Sequence, residues 1–268
     1  MIIFFIKIEI LKKSKWLNLN KIIIAKITLY FIIIFSYQSL IDCKLLSKVE
    51  LKKTDFRFII SLKFNGEDFR YNKQYLLMKN LDSISITKIR FYLTNIEILF
   101  SDNSKYMEKF SYHLIDLDDN KSLEFVLKNI PKKEISNIKF CLGVDSITNV
   151  SGALNGDLDP RKGMYWSWNS GYINLKMEGN YYNILGNKNS FEYHIGGYIS
   201  PNNSLRNLSF NIVKNFKTNY KINLVLDLGN FFDSFDYKNN RSVLIPGAES
   251  NKVMDGFKNI FKVSNNEN

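Results

Sequence analysis

Two cysteines and two histidines are all that 268 residues offer to thiolate and imidazole chemistry. Cys43 and Cys141 sit in unlike surroundings and do not read as a disulfide pair. With no CxxC there is no zinc or iron–sulfur ligand set. His113 and His194 are too few for the three-histidine zinc site of a hydrolase. GxSxG, HExxH, a Walker loop and a GxGxxG after a strand are all missing, so the chain reads as a protein without its own catalytic centre. Helix-turn-helix, RRM and zinc-finger patterns are missing too. The net charge of +11 does not replace them: +7 falls within residues 1–53, where ten lysines face Glu9, Asp42 and Glu50, leaving only +4 for 54–268. A nucleic-acid-binding domain would gather that charge on a folded face, so no nucleic-acid partner is expected.

The basic N-terminal segment has the layout of a targeting leader. Lys7, Lys12, Lys13, Lys15 and Lys21 are scattered through residues 1–21, and residues 22–41 are nearly all apolar with Lys26 the one charge. That is a basic region followed by a hydrophobic one, and the apolar run is long enough to span a bilayer. Cys43 follows in Ser39-Leu40-Ile41-Asp42-Cys43. The context resembles a bacterial lipobox, with Asp42 a departure because small residues usually precede the lipidated Cys. Lipidation at Cys43, an uncleaved anchor and an ordinary cleaved signal all place the remainder outside the cytoplasm, in the cell envelope facing the periplasm or the surface. They also make the membrane its first partner. The leader is read as 1–43 and the domain as 54–262.

What the chain has in quantity is aromatic and β-branched residues in alternation. Aromatics make up 15% of it, with 21 Phe and 15 Tyr, and such side chains pack well on a pleated surface. Phe56, Phe58, Ile60, Leu62 and Phe64 alternate with mostly polar residues. So do the runs 84–100, 138–144, 173–177, 191–195, 208–212 and 220–228. Slips of phase within 84–100 predict a bulge or a bent strand. The pattern predicts an all-β protein, a sandwich of antiparallel strands. One short C-terminal helix is predicted from the apolar stripe Val253, Met254, Phe257, Ile260, Phe261. Residues 263–268 read as a frayed end, and Cys141 as a small strand residue.

Candidate site residues lie in two stretches, 143–172 and 191–197. Asp145, Asn149, Asp157 and Asp159 put hard oxygen ligands on a Gly-containing loop, a composition that suits calcium. The same side chains are equally the ones that cap turns within a long loop. Trp166 and Trp168 are two residues apart, hence on one side of a strand. They read either as large core or interface aromatics, or as lining for a metal site, one of them redox-modified. His194 is expected on the face opposite Tyr193 and Ile195, shared with Glu192 and Gly196. Two imidazoles with one soft donor make a Cu(I) site, which makes His194 and His113 the metal candidates. Each also has a plain reading as a satisfied strand residue. Many aromatics and acids on a sandwich leave two further readings open: a surface adhesion or ligand-binding module with no metal, and a hydrolase on a jelly-roll scaffold with two carboxylates facing one cleft.

The blocks themselves resemble a known family. Phe140-x-Leu142-Gly143-Val144-Asp145, Asn149-Val150-Ser151-Gly152, Leu158-Asp159-Pro160-x-x-Gly163-Met164-Tyr165-Trp166-Ser167-Trp168-x-Ser170-Gly171-Tyr172-Ile173 and Phe191-x-Tyr193-His194-Ile195-Gly196-Gly197 are similar to the signature blocks of the MbnP-like copper-binding domain, in the form carried by Bacteroidetes-type bacteria. Ile89–Ile96 and Tyr112–Asp116 fit as well, so the resemblance spans about 56–260. It implies a periplasmic or surface β-sandwich that binds copper through His nitrogens and a kynurenine made by oxidising a Trp, with a di-haem cytochrome c peroxidase-type partner for that oxidation. On this resemblance His194 and one of Trp166 or Trp168 are the matched positions, and His113 is the remaining histidine for a second nitrogen.

Overall fold

The structure is a computed structural model and describes residues 26–39, 52–168, 171–212 and 220–264. The chain divides into two units, Met1–Lys52 and Lys53–Asn268. In the first, α1 (26–39) is helical, as its apolar run favours. No helix among the described residues is long and apolar enough to cross a membrane. Cys43 and the rest of the leader lie outside the described residues.

The second unit is a β-sandwich. Its strands are β1 (Lys53–Phe64), β2 (Glu67–Asp68), β3 (Tyr75–Leu76), β4 (Ser83–Phe100), β5 (Lys105–Met107), β6 (Tyr112–Asp116), β7 (Glu124–Pro131), β8 (Ile135–Leu142), β9 (Tyr165–Trp166), β10 (Gly171–Tyr182), β11 (Lys188–Gly196), β12 (Arg206–Asn211), β13 (Lys221–Asp227), β14 (Ser242–Val243) and β15 (Phe261–Ser264). The smaller sheet runs β15-β13-β1-β2, with β7 also on β1; β1 and β13 are parallel. The larger runs β12-β8-β4-β10-β11-β14, with β3, β5 and β6 also on β4 and β9 on β10. Strand β4 is the spine: its first half pairs with β10 and its second with β8. Between the halves, the left-handed Asn95 and a register shift account for the slip of phase seen in the sequence.

The alternating rows meet where expected. Phe56, Phe58, Ile60 and Phe64 of β1 and Ile89, Phe91, Leu93, Met177, Tyr193 and Ile195 of the larger sheet all enter one buried core. Two α-helical pieces attend it, α3 (Leu228–Ser234) and α4 (Ala248–Lys258), while a third, α2 (Ser146–Val150), contributes nothing to it. Helix α4 is the predicted C-terminal helix, but it ends at Lys258. Ile260 follows the helix and Phe261 opens β15, which pairs with β13, so Val263 and Ser264 are strand residues rather than a frayed end. A second, smaller core lies on the outer face of the larger sheet. There Tyr92, Leu114, Tyr172 and Ile173 are covered by Val144, Leu158, Met164 and Trp166 of the long 143–170 connection.

Candidate functional site

Strand register decides which candidates share a face. Residues paired directly across strands point the same way. Leu93 of β4 lies in the main core and pairs with His113, so His113 points inward between the sheets. There its ring stacks on Phe125 of β7 at 3.8 Å between centroids, and its Nε2 lies 2.8 Å from Glu108 Oε2. On β11 the inward residues are Tyr193 and Ile195. His194 therefore points outward, with Glu192, as its place in the strand predicts. The two histidines thus occupy opposite faces of one sheet. The two-imidazole Cu(I) site expected from their number does not form.

His194 stands in an ordered polar row. It pairs with Lys176 of β10, which pairs with Arg90 of β4; beside this row run Glu192, Glu178 and Lys88. His194 Nε2 is 2.8 Å from Glu178 Oε1, and Lys176 Nζ is 3.6 Å from the same oxygen. Partial burial raises the Glu178 pKa, but the His194 hydrogen bond and the nearby charges of Lys176, His194 and Lys88 outweigh it and hold the carboxyl below its ordinary value. Glu178 was not among the sequence candidates. The short connection Asn183–Asn187 joining β10 to β11 carried the signal, because a tight hairpin sets the register that brings 178 beside 194.

Trp166 lies next along this face. A methyl group on Gly196, two residues beyond His194, would come within 2.6 Å of both the Trp166 ring and the Tyr172 carbonyl oxygen. The bare backbone at Gly196 is what lets the indole approach β11 so closely. Gly197 follows at φ +109°, and a methyl there would strike the Asn202 carbonyl oxygen at 2.2 Å. The paired glycines after His194 are thus a seat for Trp166 and a turn for the following loop. Trp166 is 5% exposed and Trp168 62% exposed, their rings 5.6 Å apart and tilted by 45°. Both line a cleft of about 470 Å³, walled on its other sides by Tyr198, Ile199, Ile245 and Pro246. Tyr198, Ile199 and Ile245 were not sequence candidates; their role comes from loop packing that leaves no periodic trace.

The oxygen-rich loop takes its plain reading. Asp145 caps α2 by accepting from the Thr148 backbone N–H at 2.9 Å. Buried Asn149 donates to the Val144 and Asp145 carbonyls and accepts from Tyr172 N–H. Asp157 accepts from Leu114 N–H and from Lys162. Asp159 caps the turn at 160–162 and binds Arg161, whose hydrogen bonds hold its pKa down at about 2. The calcium cluster expected from composition is not assembled, since each of these side chains is engaged in capping the loop or tying it to β6 and β10. No group of three or more His, Cys, Asp or Glu able to hold a metal ion occurs among the described residues.

A model of the MbnP family matches residues 53–254. Among solved structures, MbnP from Methylosinus trichosporium is similar with a TM-score of 0.56 and 15% sequence identity, over 79% of this chain and 98% of that one. At that identity the likeness speaks for the fold. No curated protein matches the chain.

Proposed function

The chain belongs to the MbnP family, and from that premise we propose that it is an exported cell-envelope protein that binds copper on the outer face of its larger sheet and carries no catalytic centre of its own. The observation that supports this most is the His194–Glu178 contact of 2.8 Å, with Trp166 seated over Gly196 on the same face. An imidazole nitrogen and a carboxylate oxygen are two adjacent donors of the kind Cu(II) accepts. These residues fit a metal in part: His194 and Glu178 would hold it, and a metal cation there would take the place of the Lys176 ammonium now beside Glu178. His113 is on the wrong face to join them, so the second nitrogen implied by the resemblance has no counterpart in this chain's histidines.

Trp166 is the better placed of the two tryptophans for the oxidation that the resemblance implies, because it adjoins His194 through Gly196. A di-haem cytochrome c peroxidase-type partner belongs to the same proposal, as do export and anchoring by the N-terminal leader. Copper titration of protein purified from its own host tests the reading. His194→Ala should abolish stoichiometric binding, while His113→Ala should bind as the wild type does. Retention by His194→Ala, or loss in His113→Ala, would overturn the site. A peptide mass spectrum spanning Trp166 and Trp168 reads the oxidation separately.

A further inference from the structure

The cleft beside Trp166 differs from the surface around it in one respect: among the described residues no charged side chain lines it, although the chain is 24% charged residues. Phosphates, uronates and nucleic acids therefore find no counter-ion in it. Yet its lining is not uniformly apolar. Ser200 and Asn202 stand among the aromatic and aliphatic walls, and a hydroxyl and an amide both donate and accept hydrogen bonds.

We propose that this cleft binds a neutral sugar ring, part of an uncharged glycan, stacked on the indole of Trp168. A pyranose has one face of C–H groups that lies on an aromatic surface and an equator of hydroxyls that needs polar partners. The cleft supplies both. Trp168 holds its ring open to water, 62% exposed, and is backed by Trp166, which is buried and fixed on Gly196. A large aromatic so displayed offers much contact area at little ordering cost. Ile199 and Ile245, 67% and 63% exposed, extend the apolar wall, and a cleft of about 470 Å³ is within the usual range for small ligands. The loop bearing Tyr198 is tied down: Ser146 Oγ donates to the Tyr198 carbonyl at 2.8 Å, and the Tyr198 ring leaves only 3.2 Å for a methyl on Gly171. A long acyl chain would want a closed apolar tunnel; this site is open and partly polar. The proposal goes beyond the copper reading and does not rest on it, since His194 takes no part.

The test uses the full chain in lipid nanodiscs, because sugar-headed detergents would compete. With EDTA present, cellohexaose, maltohexaose and mannohexaose are titrated while tryptophan fluorescence and heat are followed. At least one should saturate both signals. Trp168→Ala should weaken it about tenfold or more with an unchanged thermal midpoint, and Trp168→Phe should restore most of the binding. His194→Ala should bind the sugar as the wild type does, which separates this site from the copper site. The proposal is overturned if none of the three binds up to about millimolar concentration, if Trp168→Ala binds as well as the wild type, or if the cleft takes an apolar peptide that no sugar displaces.

Discussion

His194 is held by what its own strand cannot supply. Glu178 reaches it diagonally across a hairpin, and the two exchange a hydrogen bond on a half-buried face. The Glu178 carboxyl titrates below its ordinary value in the folded protein. A depressed carboxylate pKa contributes stability that is present above the unfolded pKa and lost as pH falls through the folded one. Glu178→Gln should therefore be less stable than the wild type at neutral pH, by roughly 0.5 kcal/mol for a contact that water still screens. The gap should close below the ordinary carboxylate range, because both proteins then carry a neutral side chain there. Urea midpoints at the two pH values check this, and a gap that stays constant would mean the contact is not ionic. The place of His194 opposite Tyr193 was legible from period-two alternation alone. Its partner was not, since Glu178 is sixteen residues away and only the hairpin register joins them.

The 143–170 connection behaves as a folded element, although only short helical pieces and β9 occur in it. It lays Val144, Leu158, Met164 and Trp166 on the outer face of the sheet. Asn149 is its rivet: buried, it bonds two carbonyls of its own segment and the Tyr172 N–H of β10. Arg90 adds a second tie from below, donating to the Lys162 carbonyl at 2.8 Å. Asn149→Ala takes the side-chain partner from the buried Val144 carbonyl and Tyr172 N–H, while the Asp145 carbonyl keeps the Asn149 backbone N–H, and it should cost about 2 kcal/mol. Because Tyr172 neighbours Trp166, near-ultraviolet circular dichroism should change with it. A variant as stable as the wild type, with an unaltered spectrum, would show that water replaces the amide. The motif residues in this stretch were visible in the sequence as a cluster of Asp, Asn and Gly. Whether they would hold a cation or hold the loop was not, because both uses call for the same oxygen atoms and differ only in where the loop's N–H groups end up.

At the level of the whole molecule, α4 and α3 join the two sheets. Phe257 of α4 meets Phe91 of the larger sheet, Phe261 of the smaller and Phe231 of α3, all at ring separations of 5.4–6.4 Å. Fully buried, it is an aromatic cross-link between layers rather than a cap on one of them. Phe257→Ala should lower stability by about 3–5 kcal/mol, removing both burial and close packing. Denaturant unfolding would show it as one shifted transition; two separated transitions would mean that the sheets unfold independently. The helix stripe that announced α4 also contained Ile260 and Phe261. Apolar spacing is blind to the point where a helix stops, and pairing with β13 turned the last of these into strand.

By itself the sequence determined the all-β class, the rows facing the core, the outward placement of His194 and the motif blocks that mark the family. All of these depend on spacing along one chain: period-two alternation and short contiguous patterns carry them without reference to distant residues. Tertiary structure alone decided that His113 and His194 lie on opposite faces of one sheet, that Glu178 joins His194, that the loop carboxylates serve as caps and ties, and that Trp166 and Trp168 form one wall of a cleft with no charged side chain among its described lining residues. Each of these turns on which strand lies beside which and in what register. That pairing is set by the shared burial of both sheets, a property of the assembled core that no local stretch of residues contains.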